Sequence, residues 1–295
     1  MRGGVRAFVA LGAAIGLAFG AGAATPSGAT GGAGPWTYEA GGTYVRESIF
    51  FYGATRHYDE DGAVQPGDWS YATTSFRNTQ FLHVGEYGLR EGLALVTGLV
   101  YKDIRADRGP DAPSQGIAGF GDLTLGLKQR IVNRGVVLSG VATVDIPTGY
   151  RKITHATAND FYALGTGETE VEFRLLAGGL WQAGPIGGSY GVEGGYRLRG
   201  GPYANDVVYA AGASVEPMAR LRLRAGAVGV ENLHRKGNPL PAGPVYLSGS
   251  IISATTAAGF AIRPNSVLEI GYTRDLRGKN AFKGQAIEIA IEYRR

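Results

Sequence analysis

The strongest constraint on this chain is a two-residue alternation of apolar and polar side chains that recurs along most of its length. Near the end of the chain, residues 287–293 place three isoleucines and a tyrosine on one face, whereas Glu288 and Glu292 lie on the other. Residues 170–175 and 268–273 repeat the pattern. A period of two residues is that of a β-strand with one apolar and one polar face. The alternation therefore predicts an all-β fold.

Strand length separates two architectures that share this alternation. A soluble sandwich of two sheets alternates in the same way, but its strands are usually about five or six residues long. A tilted strand that crosses a bilayer needs about ten residues. Many segments here reach that length, and we expect strands at residues 36–52, 71–88, 92–104, 118–133, 135–148, 168–182, 187–199, 206–217, 220–232, 246–262, 266–276 and 284–294.

The connections between these segments are alternately short and long. Short turns are predicted at residues 89–91, 133–134, 183–186, 217–219 and 263–265. Long loops are predicted at residues 53–70, 105–117, 149–167, 200–206, 233–245 and 277–283. Short turns on one side and long loops on the other are typical of outer-membrane barrels, in which the long loops face the cell exterior.

Closure of the sheet follows from the chemistry of lipid. Hydrocarbon offers no hydrogen-bond partner, so an open sheet edge is not tolerated in a membrane. We therefore predict a transmembrane antiparallel up-and-down β-barrel of about 12 strands, with apolar faces toward lipid and both chain ends on the periplasmic side. Aromatic residues near the strand ends, among them Trp36, Tyr38 and Tyr52, are candidates for interfacial girdles.

The first 35 residues have the composition of an export segment. Arg2 and Arg6 precede an uncharged apolar run that continues to residue 24 and contains small residues at positions 21–23. This order predicts a signal peptide at residues 1–24 and localisation in the bacterial outer membrane, the alternative being a membrane anchor helix. Residues 25–35 are rich in small residues and predict a flexible lead-in, with the barrel at residues 36–295.

Composition and motifs argue against several classes of function. The chain has no cysteine, which excludes disulfides and thiolate metal sites. Its net charge of +4 is dispersed, so no nucleic-acid partner is predicted. No H-E-x-x-H motif occurs, and we predict no catalytic residue, metal ion or cofactor. An outer-membrane hydrolase is a further alternative, because His57 and His155, both expected in outer loops, have acidic or amide neighbours.

Several Gly-rich stretches occur in a fixed order. Residues 87–89 read YGL, residues 119–128 read GFGDLTLGLK, residues 146–149 read IPTG and residues 164–167 read LGTG. This ordered set resembles the outer-membrane family named for the meta-pathway of phenol degradation, over roughly residues 70–295. The resemblance implies a 12-stranded barrel for uptake of hydrophobic or aromatic compounds. One departure is that the usual terminal aromatic residue, here Tyr293, is followed by two arginines, which bears on membrane insertion.

Charged residues on the other strand faces are expected inside the barrel. The candidates for lining a solute pathway are Asp122, Lys128, Arg130, Glu170, Glu172, Arg174, Glu193, Arg197, Arg199, Arg222, Arg224 and Glu269. Two interpretations remain open: opposed charges line a polar channel, or they pair across strands and fill the lumen of a structural or interaction barrel. The predicted partners are outer-membrane lipids, the barrel-assembly machinery and an unidentified small-molecule solute.

Overall fold

The structure, a computed structural model, describes residues 34–66, 74–107, 114–150, 164–201, 203–233 and 249–295. Within these ranges, no helix has the length and apolarity needed to cross a membrane. The predicted signal peptide, most of the predicted lead-in, and the histidines His155 and His234 lie outside the described residues.

Extended strands make up most of the described chain, as the two-residue alternation predicts. They are β1 (Thr43–Tyr58), β2 (Val64–Pro66), β3 (Ser75–Arg90), β4 (Leu93–Asp107), β5 (Gln115–Arg134), β6 (Val136–Pro147), β7 (Glu170–Ala183), β8 (Ile186–Leu198), β9 (Asp206–Met218), β10 (Leu221–Asn232), β11 (Ser250–Arg263), β12 (Ser266–Lys279) and β13 (Ala281–Arg294). All except β2 have twelve or more residues, which is enough to cross a bilayer.

The twelve long strands form one closed antiparallel barrel. Each long strand pairs with the next one along the chain, and β13 pairs with β1 to complete the circle. This closing ladder extends from Tyr44 opposite Arg294 to Tyr58 opposite Ala281. The short β2 only extends the sheet beside the end of β1. The predicted 12-stranded up-and-down barrel is therefore confirmed.

The two ends of the barrel differ in how the strands are connected. At one end, here called the turn end, five connections of one or two residues join β3–β4, β5–β6, β7–β8, β9–β10 and β11–β12. The opposite end, here called the loop end, carries the longer connections. The prediction of a long loop at residues 277–283 is wrong, because Asn280 alone joins β12 to β13. Its φ of 46° is a left-handed conformation that asparagine tolerates well.

The chain enters the barrel wall at Thr43, not at residue 36 as predicted. Gly41 has a φ of 80°, and the Gly42 N–H donates to the Glu39 carbonyl at 2.9 Å. This turn, which favours glycine, allows the preceding residues to fold inside the barrel. Tyr38 stacks on the inward-facing Tyr44, and Tyr52 is also buried inside. The prediction that Tyr38 and Tyr52 belong to an interfacial girdle is therefore wrong.

Exposure separates the two faces of the barrel wall. The isoleucines of β13 are outside, where Ile287 is 53% exposed, whereas Glu292 on the same strand is 1% exposed inside. Leu175 of β7 and Ile270 of β12 are likewise exposed outside. An apolar outer surface is the form that a barrel takes in lipid.

The two terminal arginines continue the last strand. Arg294 pairs with Tyr44, and the Thr43 N–H donates to the Arg295 carbonyl at 2.7 Å. The Arg294 side chain turns inward and contacts Glu292 at 3.0 Å, while Tyr293 faces outward. The closing ladder therefore includes these residues, and the aromatic ring keeps an outer position at the turn end.

Candidate functional site

The lumen near the loop end has a charged wall built by β7, β8 and β9. This loop-end cluster consists of Glu170, Glu172, Arg174, Glu193, Arg197, Arg199 and Asp206. Arg197 lies at its centre, with one guanidinium nitrogen 2.7 Å from Glu172 and another 3.5 Å from Asp206. Arg174 bridges Glu172 at 2.5 Å and Glu193 at 2.9 Å. The strand registers explain the cluster, because Glu172 lies directly opposite Arg197.

A second group of charges occupies the turn end on β1, β10, β12 and β13. This turn-end cluster consists of Arg46, Arg222, Arg224, Glu269, Glu288, Glu292 and Arg294. Arg46 contacts three carboxylates, at 2.9 Å from Glu269, 3.0 Å from Glu288 and 2.7 Å from Glu292. Arg222 also contacts Glu292 at 2.7 Å, and Arg224 contacts Glu269. Charges taken out of bulk water need such partners, because an unpaired buried charge is costly.

The rest of the turn end is occupied by residues 34–38, which enter the lumen from the turn at Gly41. Lys128 of β5 holds them, since its ammonium group donates to the Gly34 carbonyl at 2.9 Å and the Trp36 carbonyl at 3.3 Å. The same ammonium group is 2.5 Å from the Glu86 carboxylate of β3. The Lys128 side chain is fully buried by these contacts.

Further contacts fix this segment against β6 and β7. The Ser139 hydroxyl donates to the Pro35 carbonyl. A Cβ added to Gly178 would lie 3.0 Å from the Pro35 ring, so glycine makes room for the proline. With the turn-end cluster on one side and residues 34–38 on the other, the lumen is narrowed at this end.

A patch of buried apolar side chains on the inner wall, here called the apolar pocket, faces the loop-end cluster across the lumen. Phe50 of β1, Phe76 of β3 and Ile104 of β4 form its wall together with small side chains of β13. Phe282 stacks on Phe76 with ring centroids 4.3 Å apart, and Tyr203 packs from the β8–β9 connection. The order of strands around the barrel places this pocket opposite the charged wall. The loop-end half of the lumen thus has one apolar side and one ionic side.

The β6–β7 connection reaches into the lumen at both of its described ends. Lys102 of β4 donates to the Leu164 carbonyl at 2.7 Å. The Tyr150 hydroxyl donates to the Asp122 carboxylate and accepts from the Gly167 N–H at 3.0 Å. Burial, and then the Asp122 charge, raise the pKa of Tyr150, so the phenol stays protonated as a donor. These contacts narrow the lumen beside the apolar pocket.

The predicted lumen residues fall into distinct places. Glu170, Glu172, Arg174, Glu193, Arg197 and Arg199 are in the loop-end cluster, and Arg222, Arg224 and Glu269 are in the turn-end cluster. Asp122 contacts Tyr150, and Lys128 holds residues 34–38. Arg130 lies apart at the turn-end rim, where it pairs with the exposed Glu91.

Sequence reasoning missed two sets of inward residues. Arg46 and Glu86 were not named, although each lies in the inward phase of its strand, as Ser48 of β1 and Gln80 of β3 also do. The apolar pocket was missed because apolar side chains were assigned to lipid. The alternation in β1, which puts Phe50 in phase with Arg46 and Ser48, was the available signal.

The described residues contain no group of three or more His, Asp or Glu side chains that is suited to a metal ion. His57 was expected in an outer loop, but it lies near the end of β1 and is buried. That prediction is wrong because β1 continues to Tyr58 with support from β2. His83, by contrast, lies in a strand as expected.

Comparison with solved structures supports the same fold. The structure of the COG4313 outer membrane channel from Pseudomonas putida F1 matches 88% of this chain and 97% of its own, with a TM-score of 0.62 and 15% identity. The two chains share the fold of a closed antiparallel β-barrel. The NanC porin (TM-score 0.46, 8% identity, 83% of this chain and 98% of that chain) is less similar. The P. putida toluene transporter TodX is also less similar, with a TM-score of 0.42 and 11% identity over 88% of this chain and 90% of that chain.

Sequence comparison adds no closer relative. No protein-family profile matches the chain, and no curated protein matches it by sequence. The resemblance to the family of the phenol meta-pathway therefore stays a prediction. At 15% identity, the likeness to the Pseudomonas putida channel shows a shared fold and does not identify a solute.

Proposed function

We propose that the chain is an outer-membrane channel for small apolar or aromatic solutes. The observation that carries this proposal is the apolar side of the lumen in its loop-end half, where Phe50, Phe76 and Phe282 pack together. A lumen that serves only hydrated ions has no need of such a wall, whereas an apolar solute gains free energy by leaving water for it.

The charged wall opposite the pocket supplies the second half of the proposed site. Arg199 of the loop-end cluster lies 5.5 Å from the Tyr203 ring centroid, so the ionic and aromatic sides meet at this point. A solute with one polar group can place its apolar part on the pocket and its polar group toward the arginines and carboxylates. This is the usual composition of a small-molecule site, apolar with a few placed polar groups.

We infer the location from the fold and from the outer surface. An apolar outer belt on a closed barrel suits lipid, and the barrel matched above is an outer membrane channel. In this placement the loop end faces the cell exterior and the turn end faces the periplasm. The same comparison favours transport over enzymatic activity.

A second candidate function is a structural or interaction barrel with a filled lumen. The observation that favours it is the occupation of the turn end by residues 34–38 together with the turn-end cluster. The two candidates differ in whether removing residues 34–38 reveals solute flux. A filled structural barrel would stay impermeable.

The proposal is tested by uptake of radiolabelled toluene and of glucose into proteoliposomes. Phe76→Ala removes a ring from the pocket, and we expect it to lower toluene uptake by roughly fivefold through the loss of buried apolar area. Glucose uptake should be low in all variants because a sugar gains nothing from the pocket.

Phe81→Ala is the matched control. Phe81 lies on the same strand β3, but its ring is half exposed on the outer surface. Toluene uptake equal to that of the unsubstituted protein is expected. Equal losses in the two variants, or no toluene uptake even after residues 34–38 are replaced, would contradict the proposal and favour the filled barrel.

A further inference from the structure

A groove of about 550 Å³ lies at the loop end, on the stretch of wall formed by β12, β13, β1 and the start of β3. It borders the apolar pocket at Ala54, Phe76 and Ala286. Many of its other side chains, among them Phe51 and Arg56, point to the outside of the barrel. The outward residues that line it fall into a charged group nearer the loop end and an apolar group nearer the membrane centre.

The charged group consists of four cations, one from each strand. Arg56 and Arg274 are exposed and form no ion pair with any described residue. Lys283 lies 5.2 Å from the Tyr58 ring centroid, and Arg77 makes an exposed contact of 3.3 Å with Asp107. The carboxylate of Asp275 also borders the groove, but it accepts hydrogen bonds from Tyr52, Ser253 and the Gly284 N–H. The groove therefore carries a net positive charge toward the loop end.

The apolar group lies below these cations along the same strands. Phe51 is five positions before Arg56 on β1, Ile287 is four positions after Lys283 on β13, and Tyr272 precedes Arg274 on β12. All three side chains are exposed on the outer surface. Polarity thus changes along the strands from cationic near the rim to apolar near the centre.

The floor of the groove is the bare backbone of Gly53. This residue lies in register between Arg77 of β3 and Gln285 of β13. A Cβ added there would have no atom within 4 Å. The groove is therefore open space on the outer wall at this level.

We propose that this groove binds a lipid that carries phosphate groups on its headgroup and acyl chains below. Arginine and lysine recognise phosphate by charge and hydrogen bonding, and basic sites at membrane interfaces bind anionic headgroups. The acyl chains would lie on Phe51, Tyr272 and Ile287. The inference rests on the membrane placement given under the proposed function, because the loop end must be at the level of the outer-leaflet headgroups.

Native mass spectrometry of the delipidated barrel tests this proposal. The probes are bis-phosphorylated lipid A, its dephosphorylated form, and inorganic phosphate. Two variants alter the site in independent ways. Arg56→Gln/Arg274→Gln/Lys283→Gln removes three positive charges, and Gly53→Leu fills the groove with a side chain. We expect each to weaken binding of bis-phosphorylated lipid A by about tenfold or more, and the dephosphorylated form to bind the unsubstituted protein equally weakly.

Each variant has a matched control. Arg90→Gln/Arg134→Gln/Arg263→Gln removes three exposed cations at the turn end, and Gly194→Leu fills open space beside another outward glycine, on β8. Both controls should bind like the unsubstituted protein. Equal binding by all variants would overturn the proposal, as would inorganic phosphate that displaces the lipid at equal concentration. Toluene uptake should not change in the site variants, so this proposal and the proposed function fail separately.

Discussion

Lys128 joins three parts of the molecule through one ammonium group. It contacts Glu86 on the neighbouring side of the wall and two carbonyls of residues 34–38, and its side chain is fully buried. Loss of this ammonium group would remove a donor from the Glu86 carboxylate and from both carbonyls at once. A buried charge that loses its counter-charge is costly.

Replacing this ammonium group should destabilise the barrel. Lys128→Met leaves the Glu86 carboxylate buried without its cation, and we expect the free energy of unfolding to fall by about 3 kcal/mol. The measurement is urea unfolding in detergent micelles, followed by tryptophan fluorescence.

The double variant Lys128→Met/Glu86→Gln provides the control for this prediction. It also removes the negative charge that the single variant leaves without the Lys128 cation, so we expect it to recover more than half of the lost free energy of unfolding. A single and a double variant of equal stability would show that the pair contributes no coupling.

Individual inward positions were largely predictable from the phase of each strand. Arg197 and Glu172 were assigned to the lumen because each lies on the polar face of a clear alternation. The alternation does not predict polar pairs on the outer face, such as Glu47 and His83, which face outward and contact each other at 2.6 Å. That contact depends on the register between β1 and β3, and a local pattern carries no register.

At the scale of elements, residues 34–38 act as a partial plug at the turn end. Their contacts come from β5, β6 and β7, and the contact with Lys128 joins residues 94 apart in the sequence. Because these contacts are few, the segment is expected to leave without loss of the barrel.

Replacing residues 34–41 by a Gly-Ser segment of equal length should open the turn end. We expect the single-channel conductance in planar bilayers to rise by about twofold or more, because a segment that occupies part of the lumen is released. The barrel itself should still migrate as a folded species on unheated gels.

An independent substitution checks the same prediction from the wall. A Cβ on Gly88 would lie 1.9 Å from the Glu39 carbonyl oxygen, so Gly88→Ala should displace the segment and also raise the conductance. Gly194→Ala, which meets no atom within 4 Å, should leave the conductance unchanged. A higher conductance in neither Gly88→Ala nor the Gly-Ser variant would mean that the constriction lies elsewhere.

The strands were predictable as elements, and the plug was not. Each strand carries its own alternation, so its existence is a local property, and in eleven of the twelve predicted strands both ends lie within four residues of the observed ends. The course of residues 34–42 depends on contacts between their carbonyl groups and side chains that are distant in the sequence. Such contacts produce no periodic pattern in the sequence. The single-residue turn at Asn280 was missed because polar residues around it resemble a loop.

For the whole molecule, the two charge clusters give the two ends of the lumen opposite net charges. The turn-end cluster has four arginines and three glutamates, whereas the loop-end cluster has three arginines and four carboxylates. Fixed charges of opposite net sign at the two ends concentrate cations at one end and anions at the other.

This arrangement should rectify ionic current in the variant with the Gly-Ser segment. Current should be larger when the loop-end side is at positive potential, because cations then enter at the negative cluster and anions at the positive one. Glu193→Gln neutralises the excess at the loop end and should make the current–voltage curve nearly symmetric. Planar-bilayer recording measures both.

Glu60→Gln, in the exposed connection after β1, is the matched change of charge outside the lumen and should preserve the asymmetry. The orientation of each inserted pore can be assigned with a one-sided thiol reagent on Glu60→Cys, since the chain has no other cysteine. A symmetric curve in the Gly-Ser variant before any change at Glu193 would contradict the assignment of the charges.

Closure of the barrel was predictable because lipid forbids an open edge, and the even strand number followed from the short and long connections. The distribution of chemistry around the lumen was not predictable, because it depends on which strands end up opposite each other.

The apolar pocket and the ionic wall face each other at one depth, so a molecule between them experiences a gradient across the lumen as well as along it. It resembles a molecule at the boundary of oil and water, with its tumbling restricted to one orientation. Transit should then depend on where a substituent is attached as much as on its polarity, and positional isomers of one compound should cross at different rates.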